Sequence, residues 1–442
     1  MSLPPPPAAP RVGLAGPRRV VVTGLGCIGP VGNDVPSTWD AMVNARSGIG
    51  PLTRFDVNGL ACRIAGEVRG FDVAARLGPR AKKRLGLFMQ YAIVAADQAM
   101  ADAGFDLSGL VDGAEIDPES PPPGWPECDQ LGVYVGTGIG GFPEIVDQAQ
   151  EMFTSGVRSI SPLFIPRSLN NLAAGHLAIR YQARGPSLCV ATACAVGNHS
   201  IGEAWKAIRD GDADVVVAGG AEAGLTPLGF GGFMNMKALS RRNDEPGRAS
   251  RPFDRGRDGF VMSEGAGVVV LESLDHARAR GARVYCELRG YASTTDAHHV
   301  TAPSPGGAGA ARCIKRALDV AGLNPEHIDY VNAHGTSTPM NDPAEIAAIR
   351  AAFGSAADRL MVSSTKGVTG HLLGAAGGIE AVATCMALHT GVVPPTANLE
   401  DPDPACDLDC VPLEARQVPL RAAISNGFGF GGTNAVLVFG TL

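Results

Sequence analysis

The chain has 442 residues, is 45% hydrophobic and 18% charged, contains 58 glycines and carries a net charge of −7. That length is too great for one simple core and reads as two lobes or a duplicated fold. The acidic balance argues against nucleic acid as the main partner, no apolar run approaches the roughly 18 residues of a membrane span, and ten cysteines scattered without C-x-x-C pairs fit neither a disulfide framework nor a metal site.

Residues 1–17 read as a Pro-rich flexible leader without the apolar core of a signal peptide, which places the protein in the cytoplasm. "RRVVVTGLG" (18–26) predicts a buried strand running into a glycine turn; "GLGCIG" lacks the spacing and acidic partner of a dinucleotide loop. "KKRLGLFMQYAIVAADQAMADAG" (82–104) predicts a helix ending at Gly104. Residues 105–130, rich in Pro, Gly and acid, predict a surface excursion. "LGVYVGTGIGG" (131–141) is again strand then glycine turn. Further strands are expected at 187–194, 213–223, 265–273, 283–293, 328–336, 360–367, 422–432 and 434–440, with helices between many of them. Such alternation indicates buried, largely parallel sheets. "SLCVATACAVGNHSIGEAWKAI" and "LMVSSTKGVTGHLLGAAGGIEAVATCMAL" share a layout of strand, small-residue turn and small-residue-rich helix. That repetition fits two related halves whose cleft gathers residues from both.

Three reactive side chains stand out at the turns. Cys194 ends the expected strand 187–194 and precedes a helix, a position whose free N–H groups favour a thiolate. A Cys between alanines is otherwise a small buried hydrophobe, the reading given to Cys189. His334 in "NAHGTST" and His371 in "STKGVTGHLLGAAGG" lie in Gly/Thr/Ser-rich turns at the ends of buried strands, where chemistry gathers in such sheets. His298 and His299 fall in a loop and read as surface or structural. Cys406 and Cys410 have the tightest cysteine spacing but no histidine nearby.

Together "TACAVGNHSIG", "RPFDRGRDGFVMSEGAG", "NAHGTSTP", "STKGVTGHLLGAAGG" and "NGFGFGGTN" resemble the decarboxylating β-ketoacyl-acyl-carrier-protein synthases, the type II enzymes of dissociated fatty acid synthesis. His334 follows Cys194 by 140 residues and Lys366 follows His334 by 32, in the family's order and spacing. The resemblance covers about residues 18–442. It implies an α/β fold, the thiolase-like αβαβα five-layer sandwich of two duplicated halves, here 18–282 and 283–442, in a homodimer. It further implies Cys194 as the acyl-accepting nucleophile, and His334 and His371 as donors to the malonyl thioester carbonyl. Lys366 would order that pair with Glu380. Thr336 and Thr338 would hold the phosphopantetheine arm, and the N–H groups of Cys194 and Phe430 would form an oxyanion hole. Phe430 would also gate the acyl pocket that Ile139 lines. Arg80, Lys83, Arg84, Arg158 and Lys237 would dock an acidic acyl carrier protein.

No metal and no cofactor are implied, since phosphopantetheine arrives on the carrier. A degradative thiolase would need a second catalytic Cys near the C-terminus, and an acyl-CoA-priming synthase would have Asn where His371 stands. A ketosynthase of a polyketide or specialised lipid pathway and a non-catalytic partner subunit are the alternatives, the second opposed by Cys194. The chain departs from the family pattern at Gly367 and Val368, where Ser and Met are usual, and in the length of 105–130.

Overall fold

The computed structural model describes residues 17–110 and 114–442, so residues 1–16 of the expected leader lie outside the described residues. Ten strands build one sheet: β1 Val20–Ile28, β2 Leu131–Gly136, β3 Ser187–Leu188, β4 Val215–Glu222, β5 Gly265–Ser273, β6 Cys286–Thr295, β7 Tyr330–Asn332, β8 Met361–Ser363, β9 Ala422–Gly429 and β10 Thr433–Gly440. Their order across the sheet is β8-β7-β9-β10-β6-β1-β5-β4-β2-β3. Read outward from its centre, each half has its first, fifth, fourth, second and third strand in the same order. The directions repeat too. β2 is parallel to β3 and β4, and β5 is antiparallel to both its neighbours. In the second half β7 is parallel to β8 and β9, and β10 is antiparallel to both its neighbours. The halves join where Val20–Val22 pair antiparallel with Cys286–Leu288.

Six helices give the layers: α1 Leu87–Asp102, α2 Leu172–Tyr181, α3 Val196–Asp210, α4 Ala308–Ala321, α5 Asn341–Phe353 and α6 Ala376–Thr390. α1 and α2 cover the outer face of the first half, α4 with α5 behind it covers the outer face of the second, and α3 and α6 contact both halves. Most of the strands are largely apolar because both faces are buried, while β3 is exposed and β6 ends in the partly exposed Ser293–Thr295. Val215, Val217, Val268 and Val270 pack outward against α1 and α2. Their neighbours Val216, Val269 and Leu271 pack inward, in a core shared with Trp205 of α3, Cys385 of α6, and Leu437 and Phe439 of the second half. This is the expected αβαβα sandwich.

The middle layer closes through glycine. A Cβ on Gly197 of α3 would lie 2.3 Å from the Gly378 nitrogen of α6, and one on Gly267 of β5 would lie 2.0 Å from the Ile379 nitrogen. α3 and α6 are equivalent in the two halves. Each has 15 residues, each follows a short 3₁₀ turn (Ala193–Ala195 and Leu373–Ala375), and each ends at a left-handed glycine, Gly211 or Gly391. The first residue of each turn has positive φ, +49° at Ala193 and +51° at Leu373.

Several expectations are revised. The stretch at 24–26 is not a turn, because β1 runs through it to Ile28. Gly24 and Gly26 are needed because a Cβ on either would lie within 2.0 Å of the Ala99 or Ala95 carbonyl oxygen of α1. The helix expected at 82–104 is two helices, Ala81–Arg84 and α1, separated by extended backbone at Leu85 and Gly86. There the chain passes so close to the Arg167 carbonyl that a Cβ on Gly86 would lie 2.4 Å from it. The strand expected at 187–194 pairs only at Ser187–Leu188, so Cys194 stands in the 3₁₀ turn rather than at a strand end, and Cys189 is half-buried rather than core.

The described part of the 105–130 excursion is anchored. Trp125 stands between Phe105 (5.7 Å) and Tyr181 (6.1 Å), and Arg180 donates to the carbonyls of Leu110 and Ala114; residues 111–113 lie outside the described residues.

Gly267→Ala tests the glycine closure. Only backbone faces the added methyl, so the substitution is expected to cost about 3 kcal/mol of unfolding free energy, at the upper end of overpacking effects. Chemical denaturation measures it, and a change within about 0.5 kcal/mol contradicts the close contact.

Candidate active site

Both 3₁₀ turns open onto one cavity of about 420 Å³, whose walls include Ile139, Cys194, Glu222, His334, His371 and Phe430. Cys194 is placed by contact between turns. A Cβ on Gly429 would lie 2.8 Å from the Thr192 carbonyl oxygen, so only glycine lets β9 come this near. The next N–H, that of Phe430, lowers the pKa of the Cys194 thiol. Gly431 (φ +87°) and Gly432 (φ +71°) then turn the chain back, with the Gly431 N–H on the Val300 carbonyl at 2.7 Å. His199 of α3 ties the Cys194 turn from behind, its Nδ1 bonded to the Thr192 hydroxyl (2.9 Å) and its Nε2 to Ser293 of β6 (3.0 Å).

The thiol environment differs from the sequence expectation. Burial pushes Cys194 up to about 12, Lys366 and the Phe430 N–H pull it down, and Glu222 and Glu380 push it further up. Desolvation and the two carboxylates thus oppose the thiolate that the position ahead of α3 favours.

His334 and His371 face each other edge to face with ring centres 5.3 Å apart. The His334 turn hangs from Glu345 of α5, whose two carboxylate oxygens accept the N–H groups of His334 (2.8 Å) and Gly335 (2.7 Å). Asn426 of β9 holds the same carboxylate at 3.0 Å. The His371 backbone bonds Val261 and Ser263 of the RPFDRGRDGFVMSEGAG stretch. Its Nδ1 accepts the Leu373 N–H at 3.3 Å, which leaves the ring proton on Nε2. Burial, then the positive charge of Lys366, holds both rings well below the usual histidine range, and for His334 the His371 ring adds to this. Both are therefore neutral donors at neutral pH.

Lys366 and Glu380 form an ion pair that is almost fully buried behind these rings. Burial raises the Glu380 carboxyl to about 7, Lys366 opposes the rise, and Glu345 adds to it. Asn332 Oδ1, Asn426 Oδ1 and Glu380 Oε2 are buried acceptors without a partner, groups that suit water or a hard cation rather than zinc. Among the described residues no group of three or more His, Cys, Asp or Glu side chains is placed to hold a metal ion.

Around the mouth, Thr336 and Thr338 share a hydroxyl–hydroxyl bond of 3.0 Å, and Lys237 lines the rim. The cavity thus gathers Ile139, Cys194, Lys237, His334, Thr336, Thr338, His371 and Phe430, with Lys366 and Glu380 behind. Arg80, Lys83, Arg84 and Arg158 are exposed and do not line it. His298 and His299 are exposed, as expected. At the departure from the family pattern, a Cβ on Gly367 would lie 2.8 Å from the Ala397 carbonyl oxygen, and Val368 fills a small core with Met42 and Ile379. The sequence reading did not single out Glu345 or Glu222. Each stands as an isolated acid in an apolar stretch, "AEIAAI" and "VVVAGGAEA", which is the signal that marks them.

Residues 17–277 match the family "Beta-ketoacyl synthase, N-terminal domain" and residues 285–400 match "Beta-ketoacyl synthase, C-terminal domain". A protein of Synechocystis sp. named 3-oxoacyl-[acyl-carrier-protein] synthase 2 is 49% identical over 422 residues, 96% of this chain and 98% of its own. One of the same name from Coxiella burnetii is 47% identical, covering 95% of this chain and 98% of its own. Among solved structures, a type II polyketide ketosynthase bound to hexaketide and in complex with its acyl-carrier protein is similar at a TM-score of 0.85 and 34% identity, over 96% of this chain and all of that one. The ishigamide ketosynthase/chain length factor is similar at a TM-score of 0.87 and 35% identity, over 97% of this chain and all of that one.

The neutral histidines give a pH prediction. Their folded pKa values are depressed, so the unfolded chain takes up protons first on acidification. The stability these rings contribute is present above about pH 6.5 and is lost as pH falls below it. In an NMR titration the ring signals of His334 and His371 are expected to keep the neutral pattern through about pH 6.5. Signals titrating at the ordinary midpoint contradict the assignment.

Proposed function

The chain belongs to the β-ketoacyl synthase family, and on that footing we propose that it condenses an acyl group with malonyl-acyl-carrier protein in fatty acid elongation, releasing CO₂ and 3-oxoacyl-acyl-carrier protein. The observation that carries this reading is one cavity holding a thiol beside two neutral imidazoles. In the first half-reaction the Cys194 thiol takes the acyl group from the carrier thioester, and its proton leaves with the carrier's pantetheine thiol. The oxyanion formed on the way would be met by the N–H groups of Phe430, which lines the cavity beside Cys194, and of Cys194 itself.

In the second half-reaction malonyl thioester loses CO₂, and the negative charge gathers on the thioester oxygen as an enolate. His371 Nε2–H and His334 supply donors in a desolvated place, where they are worth most. The enolate carbon attacks the acyl-cysteine carbonyl, the C–S bond breaks, and the thiolate is reprotonated. The sequence is redox-neutral and calls for no cofactor beyond the pantetheine arm, which Thr336 and Thr338 would hold at the mouth. Burial keeps the rings neutral and the charge of Lys366 adds to this, while Glu380 compensates the buried Lys366.

The chain's partners follow from its surface. Arg80, Lys83 and Arg84 on and beside the helix Ala81–Arg84, Arg158, and Lys237 at the cavity rim are exposed cations suited to an acidic carrier protein in the cytoplasm. Homodimerisation would cover β3, whose two residues are exposed at the end of the sheet, and the exposed Phe153, Ile165 and Ile179 on neighbouring helices. Sedimentation velocity should return twice the chain mass. Reversing the charges of Lys83 and Arg84 is expected to raise KM for acyl-carrier protein at low salt, and unchanged kinetics would remove that docking site.

The two half-reactions are separable. Cys194→Gln is expected to abolish acyl-enzyme formation and condensation while malonyl-carrier decarboxylation stays measurable. His334→Ala is expected to accept an acyl group yet lose about 10²–10³-fold in decarboxylation. Intact-protein mass after acyl-carrier protein, paired with CO₂ release from labelled malonyl-carrier protein, reads both. Condensation by Cys194→Gln, or full-rate decarboxylation by His334→Ala, refutes the roles.

A further inference from the structure

Glu222 ends β4 with its side chain fully buried, and its carboxylate faces the cavity beside Cys194. Four donors reach it. Oε1 accepts the Thr137 hydroxyl (3.0 Å) and the Ile139 N–H (3.2 Å), and Oε2 accepts the Gly138 N–H (2.9 Å) and the Gly374 N–H (3.1 Å). An ionised carboxylate has about four acceptor positions, so these donors fill it, whereas a protonated acid or an amide would turn a donor toward a donor. The fit leaves no room for change: a Cβ on Gly138 would lie 2.6 Å from Oε2 and one on Gly374 would lie 2.7 Å from it.

The donors come from opposite halves of the chain. Thr137–Ile139 is the turn after β2 that carries Ile139 into the acyl cavity, and Thr137 Oγ1 also accepts the Gly140 N–H at 3.1 Å. Gly374 belongs to the turn before α6, one residue after Leu373, whose N–H fixes the His371 tautomer. We propose that Glu222 is a positioning residue that joins these two turns, so that the wall of the acyl pocket and the orientation of His371 are set by one buried carboxylate. This rests on the condensation reading above and deepens it. Glu222 makes acyl-chain acceptance and decarboxylation depend on the same contact, and its charge also bears on the thiol.

The groups around that thiol are Glu222 from β4, Glu380 from α6, Lys366, the Phe430 N–H and the two histidines. Removing the negative charge at 222 moves thiol ionisation to lower pH, an effect that a merely structural side chain would not have.

Glu222→Gln, Glu222→Asp and Thr137→Val test this in the full-length protein. Three readings are taken: the acyl-enzyme mass profile across carrier-bound chain lengths, CO₂ release from malonyl-carrier protein, and the pH dependence of Cys194 alkylation by iodoacetamide. Glu222→Gln is expected to shift the chain-length profile, slow CO₂ release several-fold and move alkylation to lower pH. Glu222→Asp keeps the charge but not the reach, so it should shift the profile and leave the alkylation curve in place. Thr137→Val removes one donor and keeps the charge. It is expected to shift the profile alone, and it serves if the Glu222 variants do not fold. A folded Glu222→Gln with wild-type profile, CO₂ release and alkylation overturns the proposal, as does an unchanged profile in Thr137→Val. If the wild-type protein forms no acyl-enzyme with any chain, the condensation reading fails. The alkylation curves still show whether Glu222 acts on Cys194.

Discussion

The structure depends on two helices meeting backbone to backbone. α3 and α6 can touch only because Gly197 and Gly377 carry no side chain, and β5 reaches α6 only because Gly267 and Gly378 carry none. Each helix begins where a reactive turn ends, so the distance between helix starts is also the distance between chemistries. Bulkier residues in the middle layer would push the halves apart and draw Cys194 away from His371. Burial of alternating side chains, Val216 inward and Val217 outward, supplies the apolar area that holds the layers together. That area does not set the spacing, which the glycines do.

Electrostatics at the site follows from this closeness. The histidines, Lys366 and Glu380 lie buried against this contact, so a charge among them is costly and neutral groups stay neutral. The rings of His334 and His371 remain uncharged, burial opposes ionisation of the thiol, and Lys366 can exist as an ion only beside Glu380. Donors held in such surroundings stabilise a developing oxyanion strongly, because nothing has to reorganise when the charge appears. Two more buried carboxylates, Glu345 and Glu222, bind mostly backbone N–H groups, and both hold turns in place.

Much of this was legible in the sequence, and what was not has physical reasons. Continuous apolar runs such as "ADVVVAGGAEA" marked doubly buried strands, and five linked motifs marked the reactive turns. The shortening of β3 to two residues was hidden because the small-residue run 189–194 reads as strand while its backbone leaves the sheet to place Cys194. The strand through Gly24 and Gly26 read as a turn because glycine marks both freedom and close approach, and only the neighbouring α1 tells which applies. The free N–H groups ahead of α3 are visible in sequence, whereas the desolvation and the charges of Glu222 and Glu380 that act on the thiol come from distant segments. Glu345 escaped for the same reason, since its partners His334 and Asn426 are brought to it by two other strands.

The paired turns also bear on how such a site arises. Cys194 and Gly374 occupy the same place in their 3₁₀ turns, second of three residues, before helices of equal length. A dimer of identical halves would present the same group twice and face like with like. With both halves in one chain, the two places are free to diverge. One holds the thiol, and the other is crowded by the Gly138 nitrogen, 2.3 Å from where a Cβ would stand, so it admits only hydrogen. A second thiol is thereby shut out at that position. The fold keeps its internal symmetry in its strands and departs from it at this position, where a reaction between unlike partners requires unlike sides.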